Sequence, residues 1–359
     1  MRATLPESIG RTILSPLSAL HGHALEARAR LYRSGWLASH RAACPVVSVG
    51  NLTFGGTGKT PFVEFLARRL RFEGKRPAVL SRGYGRRSKG VIVVSRGAGP
   101  LVGPEEGGDE PVAMARRLPT VPVVAAERRI EGARVAIELG ADLLILDDGY
   151  QHLALERDVN LLLLDAANPF GGERLPPAGR LREPLPALAR ADAVVFTRVD
   201  RSDLPGAARL ALDRWNRGVP LFSARIRAAG LRDEEGSPVA TQLLSARRFV
   251  AVCGIANPAS FAATLAELEL SAEEILGFPD HHRYTRRDLE RIRRAADSTG
   301  SAWILTTEKD AVKLEGKTAL PVVTLRLDVE VAEPGFFPFL LSRISGEPGR
   351  SRTASARPT

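Results

Sequence analysis

Along this chain, short apolar runs alternate with stretches whose apolar residues recur every three or four positions. The runs at 45–49, 78–81, 91–94, 121–125, 143–146, 160–164, 193–197 and 221–226 are rich in Val, Leu and Ile, as buried strands are. Helical spacing marks 61–72, 111–117 and 130–139 between them. Short apolar strands alternating with helices predict an α/β fold, a mostly parallel sheet with helices on both faces. From 228 to 245 the chain turns polar and reads as a linker or hairpin. A second β/α rhythm follows, with strands at 249–253, 302–306 and 322–327 and helices at 258–268 and 286–296. The expected division is an N-terminal helical segment (1–44), a core (45–227), a linker (228–245), a smaller α/β domain (246–345) and a disordered tail (346–359) rich in Ser, Arg, Gly and Pro.

The first strand breaks into Gly50-Asn51-Leu52-Thr53-Phe54-Gly55-Gly56-Thr57-Gly58-Lys59-Thr60, and a helical pattern follows. Strand, glycine loop, Lys-Thr and helix together form the phosphate-binding loop (P-loop) of nucleoside triphosphatases. In such a loop the backbone N–H groups of Gly55, Gly56, Thr57 and Gly58 turn toward an anion, and the helix N-terminus adds partial positive charge. Lys59 reaches the β- and γ-phosphates of a nucleoside triphosphate, and the Thr60 hydroxyl can bind Mg²⁺. One position departs from the consensus, which asks for Gly where Thr53 stands. Only six of the 51 basic residues are Lys, so a Lys within the loop is informative.

The run Leu143-Leu144-Ile145-Leu146-Asp147-Asp148 is an apolar strand ending in two carboxylates, continued by Gly149-Tyr150-Gln151-His152. Downstream of a P-loop, such an Asp holds Mg²⁺ directly or through water, and a parallel sheet brings both strand ends to one edge. Ser81-Arg82-Gly83-Tyr84-Gly85 should reach the same edge, with Arg82 facing an anionic group and Tyr84 stacking on a base or sugar; the alternative is a plain glycine turn. In Gly107-Gly108-Asp109-Glu110-Pro111, Asp109 taken alone reads as a helix N-cap. The loop 171–184 has little apolar periodicity, and loops of that length are usually functional or disordered. Phe278-Pro279-Asp280-His281-His282-Arg283-Tyr284 gathers two of the six His beside a carboxylate, as a general base, a surface turn or, least well supported, a metal site. Lys309, another of the rare lysines, follows the strand at 302–306.

Net charge is +10, carried mainly by Arg, which suits nucleic acid, an anionic membrane or a phosphorylated substrate. Nothing but charge points to nucleic acid, and none is expected as a partner. Two cysteines, Cys44 and Cys253, argue for a reducing compartment and against disulfides or structural zinc. No apolar run reaches the roughly 18 residues of a transmembrane helix. Instead Ile9, Ile13, Leu17, Leu20, Ala24, Ala27 and Leu31 fall on one helical face, with Arg11, Arg28, Arg30 and Arg33 around them and Tyr32 and Trp36 at the end. That is the pattern of a helix lying in a membrane interface; the alternative is a helix packed on the protein's own core.

The ordered set GNLTFGGTGKTP, LSRGYG, GDEP, LDDGYQHLALERD, LPPAGRLREP, FPDHHRYT and TTEKDAVKL, spanning about 45–314, resembles the tetraacyldisaccharide 4′-kinase family of Gram-negative bacteria. The resemblance implies a P-loop NTPase-like core and transfer of the ATP γ-phosphate to the 4′-hydroxyl of a lipid-anchored tetraacyldisaccharide 1-phosphate, in lipopolysaccharide biosynthesis. It implies a peripheral enzyme at the cytoplasmic face of the inner membrane; a monomer is expected. Carried over position by position, it makes Asp109 a catalytic base paired with His281 rather than His282, overturning the N-cap reading. Asp147 and Asp148 become Mg²⁺-side carboxylates, and Glu110, Gln151 and His152 lie beside the site. Arg129, with Arg128 adjoining, is a basic residue near the phosphates, and Arg182 and Glu183 are the R-E pair of the long loop.

A rival class is the P-loop GTPase. Thr197-Arg198-Val199-Asp200 is a loose version of the guanine-reading N-K-x-D, with Thr-Arg in place of Asn-Lys. That reading leaves the D-H-H and R-E-P loops unexplained.

Overall fold

The computed structural model describes residues 7–199, 206–245 and 247–345, with side chains from residue 15 onward. The expected tail, Asp200, and the side chains of Ile9, Arg11 and Ile13 lie outside the described residues. The strands are β1 (Val46–Asn51), β2 (Pro77–Ser81), β3 (Ile92–Arg96), β4 (Pro122–Ala125), β5 (Leu143–Asp147), β6 (Val159–Asp165), β7 (Ala193–Thr197), β8 (Leu221–Arg232), β9 (Pro238–Val239), β10 (Phe249–Cys253), β11 (Glu274–Gly277), β12 (Trp303–Thr307) and β13 (Val322–Val331). The helices are α1 (Glu7–Arg33), α2 (Lys59–Phe72), α3 (Pro104–Gly107), α4 (Asp109–Arg117), α5 (Arg129–Glu138), α6 (Gly206–Trp215), α7 (Thr241–Ser245), α8 (Pro258–Glu267), α9 (Arg286–Thr299), α10 (Glu308–Leu314) and α11 (Phe336–Ile344).

All described strands belong to one sheet, ordered β11-β10-β12-β13-β8-β7-β6-β1-β5-β2-β4-β3, with β9 beside β8. Neighbours run parallel except at β13/β8, β8/β9 and β3/β4. β1 lies between β5 and β6 and is buried throughout, which is why its sequence is continuously apolar rather than alternating. Val47 and Val49 point to the face covered by Phe62, Leu66 and Leu70 of α2, while Val46 joins Leu144 and Leu146 on the other. Each such side chain contributes about 1.5–3 kcal/mol when removed from water. This packing fixes where β1 ends, and with it the start of the P-loop.

The expected break at 228–245 is absent as a linker. β8 runs unbroken to Arg232, turns antiparallel into β9 (Leu231↔Val239) and pairs along its length with β13. Two parallel half-sheets are thus joined edge to edge. α11 then returns to the first half, where Phe336 packs edge-on against Phe62 and Phe222. The boundary drawn from polarity therefore divides residues that share one sheet and one core.

In α1, Ser18, Gly22 and Leu25 face the body. Ser18 Oγ donates to Leu175 O (2.9 Å) and accepts from Ala178 N–H (3.1 Å). The stripe of Leu17, Leu20 and Leu31 points outward, at 56%, 67% and 41% exposure. The protein's own core does not cover it.

Candidate active site

The C-terminal ends of β1, β2, β5 and β12 converge with the loop before α9 on a cleft of 1120 Å³. The P-loop forms its floor. α2 begins at Lys59, directly after Gly58, so its unpaired N–H groups face the cleft. Gly58 has φ 77°, and a Cβ there would lie 2.2 Å from Ile226 Cδ1, so a side chain would strain the backbone and force Ile226 to move. Thr53, the departure from consensus, is bridged to Leu181 of the long loop, flanked by Phe54 N–H donating to Arg180 O (2.8 Å). An extended, bridged residue needs no positive φ, which explains why Gly is dispensable there. Thr57 Oγ1 is buried without a hydrogen-bond partner among the described residues, a polar atom suited to a phosphate oxygen.

Lys59 Nζ donates to Asn51 Oδ1 (3.1 Å) and stands 3.7 Å from Asp148. Asp148, in the left-handed region at φ 52°, is held bidentately by Arg182 Nη1 at 2.7 and 2.6 Å. Burial would raise its pKa, but Lys59 and Arg182 hold it below the ordinary value. Asp147 has the opposite balance. Burial, with Glu110 and Asp148 alongside, pushes its carboxyl up to about 7, and Ser81 Oγ donates to it at 3.1 Å. Arg129, 3% exposed, lines the cleft, whereas Arg128 pairs with Glu131 on the surface. Burial lowers the Arg129 pKa to about 10, and burial together with Arg129 lowers that of His152 to about 4. Thr60, Arg82, Tyr84 and Gln151 complete this wall, Gln151 Nε2 donating to Asn51 O (2.9 Å).

Across the cleft, Asp109 is the first residue of α4; Gly108 is the cap, so the N-cap reading fails. Its carboxylate lies 3.1 Å, by both oxygens, from His281 Nδ1. His281 takes φ 57°, which turns its ring toward α4 and against the Tyr84 ring at 4.8 Å. His282 turns away, 3.0 Å from Asp288 and stacked on Phe278. Lys309 Nζ contacts Asp280 (2.6 Å), His281 Nε2 (3.0 Å) and Glu110 (3.3 Å), and Lys313 Nζ lies 3.5 Å from Asp109. Lys313 was not anticipated, although scarcity of Lys marks it as it marks Lys59. Glu183 is the misplaced expectation: buried against Arg190 (2.7 Å), it lines a separate cavity. Arg198, of the N-K-x-D-like segment, donates to Gly56 O (2.7 Å) and so braces the P-loop.

Behind the cleft, buried Arg117 of α4 meets Glu64 of α2 (3.0 Å), Glu308 of α10 (2.6 Å) and Asp328 of β13 (2.6 Å). This junction ties the helix bearing Lys59 to those bearing Asp109 and Lys309. Sequence alone gave no signal for it, because its members lie far apart in the chain.

A P-loop facing paired carboxylates, with an acid–imidazole pair opposite, defines a phosphotransferase acting from a nucleoside triphosphate. The profile of the Tetraacyldisaccharide-1-P 4′-kinase family matches residues 10–345, and the chain belongs to that family. A tetraacyldisaccharide 4′-kinase of Anaeromyxobacter sp. (strain K) is 46% identical over 315 residues, covering 85% of this chain and 82% of its own. That of Syntrophotalea carbinolica is 42% identical over 325 residues, covering 90% and 88%. A crystal structure of LpxK from Aquifex aeolicus in complex with ATP superposes with TM-score 0.77 at 36% identity, covering 93% of this chain and 99% of that one. The chain is thus an ATP-dependent kinase of lipid A biosynthesis that phosphorylates the 4′-hydroxyl of tetraacyldisaccharide 1-phosphate.

Proposed function

We propose that this transfer uses Asp109 as general base with His281 as its partner, while Lys59, Arg129 and Arg182 neutralise phosphate charge. The observation that carries the reading is the 3.1 Å contact between buried Asp109 and His281, which itself lines the cleft that holds the P-loop. A sugar hydroxyl becomes an effective nucleophile as its proton passes to a base. The 4′-oxygen bonds to the γ-phosphorus, the bond to the bridging oxygen of the ADP leaving group breaks, and the hydroxyl proton goes to Asp109. Burial alone would raise the Asp109 pKa, yet the His281 hydrogen bond and the charges of Lys309 and Lys313 bring it down to about 2. A carboxylate so held is ionised at every working pH and accepts the proton late, as a loose phosphoryl-transfer transition state permits.

Mg²⁺ suits the donor set, because Thr60, Asp147 and Asp148 offer only hard oxygens and both carboxylates line the cleft. When bound it neutralises charge on the β- and γ-phosphates. Asp147 and Thr60 are the residues to hold it, with Asp148 steered by Arg182.

The enzyme acts as a peripheral protein at the cytoplasmic face of the inner membrane. Among the described residues no helix is long and apolar enough to cross a bilayer. The outward Leu17, Leu20 and Leu31 support an interfacial α1 instead, with Arg30 and Arg33 at its end for anionic headgroups.

The test is transfer of ³²P from γ-labelled ATP to tetraacyldisaccharide 1-phosphate in detergent, with and without Mg²⁺, followed by mapping of the labelled hydroxyl. Label elsewhere than the 4′-oxygen, or undiminished turnover in a chelator, overturns the reading.

A further inference from the structure

Beyond its charge beside Asp109, Lys309 meets the imidazole of the pair directly. Nζ lies 3.0 Å from His281 Nε2, while Nδ1 of the same ring faces Asp109. Two N–H donors cannot share such a contact; one nitrogen must offer a lone pair. Lys309 is held charged by Glu110, Asp109 and Asp280, which overcome the effect of its burial. The ring is therefore the acceptor at Nε2, and its single proton sits on Nδ1, donated to Asp109.

We propose that Lys309 is a positioning residue for the phosphoryl transfer, fixing His281 as the neutral Nδ1–H tautomer that orients Asp109. The inference rests on the proposed roles of Asp109 and His281. Were His281 an imidazolium, its extra proton would sit on Nε2 against the Lys309 ammonium, and the added positive charge beside Asp109 would weaken the base just when the hydroxyl needs it. The groups facing the ring are Asp109 and Glu110 from α4, Asp280 beside it, Lys309 from α10 and Tyr84 from the loop after β2, with Lys313 behind Asp109. Burial works against protonation of the ring, Asp109 and Glu110 for it, and Lys309 against it, the net lying above the ordinary histidine value. Removing the Lys309 charge removes the one cation that, among the described residues, is in direct contact with the ring.

The experiment pairs two readouts on the full chain. In the kinase assay, Lys309→Met should move the acid limb of kcat upward by about one pH unit, with activity recovering toward wild type as pH rises. Lys309→Arg, which keeps the charge, should restore most of the limb position. A uniform loss of kcat at every pH, with the limb unmoved, would reduce Lys309 to a structural role. Independently, ¹⁵N NMR of the wild-type histidines above the His281 pKa should show a pyridine-type Nε2 and a protonated Nδ1. A protonated Nε2 in neutral His281 overturns the proposal without recourse to any variant. If His281→Asn retains full kcat, the catalytic reading of the pair falls, whereas the tautomer is still read from the NMR.

Discussion

Asp109 and His281 are 172 residues apart in sequence, yet the imidazole Nδ1 lies 3.1 Å from each oxygen of the carboxylate. The long β8–β13 pairing makes this possible by carrying the second half-sheet against the first, so that the loop after β11 hangs over the start of α4. A base assembled this way depends on the relative position of both halves, as cleft-closing enzymes do.

Lys59→Ala should lower kcat by about 10²–10³ while the protein remains folded, because Lys59 is a preorganised cation facing the transferring phosphate. Circular dichroism and steady-state kinetics check this together. Turnover within a few-fold of wild type would remove Lys59 from the phosphate site.

Gly58→Ala is expected to cost about 1–3 kcal/mol in stability, from the left-handed backbone and from the clash with Ile226, and to weaken ATP binding. Trimming the obstacle in the double variant Gly58→Ala, Ile226→Ala should return part of the steric share only. Urea unfolding with and without ATP separates the two effects, and an unchanged midpoint for Gly58→Ala would contradict them.

Acid should unfold the protein partly through Asp109. Its pKa falls from an ordinary 3.8 to about 2 on folding, a lowering worth about 2 kcal/mol. A depressed carboxyl stabilises above its unfolded pKa, and that stabilisation is lost as pH falls through 3.8 toward 2. Asp109→Asn should flatten stability against pH across that window. An unaltered slope would mean that the carboxylate gains nothing from its partners.

Replacing Leu17, Leu20 and Leu31 together by Ser should weaken binding to anionic vesicles at least tenfold without changing the thermal midpoint, since all three are exposed. Raised salt should weaken wild-type binding further by screening the neighbouring arginines. Equal vesicle binding by the triple variant would exclude the stripe as the membrane contact.

Legibility in the sequence followed burial. β1, β5 and β7 are buried on both faces, so their apolar runs announced them within a residue or two. The P-loop was legible because its chemistry demands Gly and Lys in one order. β8 was cut short at Ile226, since its second half is only half-buried and its Arg and Gly residues mimic a loop. α10 and α11 escaped notice for different reasons: the first is short and charged, the second is Phe-rich and packs on distant Phe62 and Phe222. Behind the cleft, Lys313 and Arg117 act through contacts between α4 and α10, which no local pattern encodes. Glu183 failed because adjacency to Arg182 says nothing about direction: one side chain turns to Asp148 and its neighbour to Arg190.

The central claim is that Asp109 and His281 act as one unit in the transfer. A double-mutant cycle on kcat with Asp109→Ala, His281→Ala and the combined variant tests it most directly, with ATP binding measured alongside. Each single change should cut kcat strongly and leave ATP affinity within a few-fold, and the combined variant should be little worse than the poorer single. Fully multiplicative losses, or an unchanged kcat in either single variant, would contradict the account.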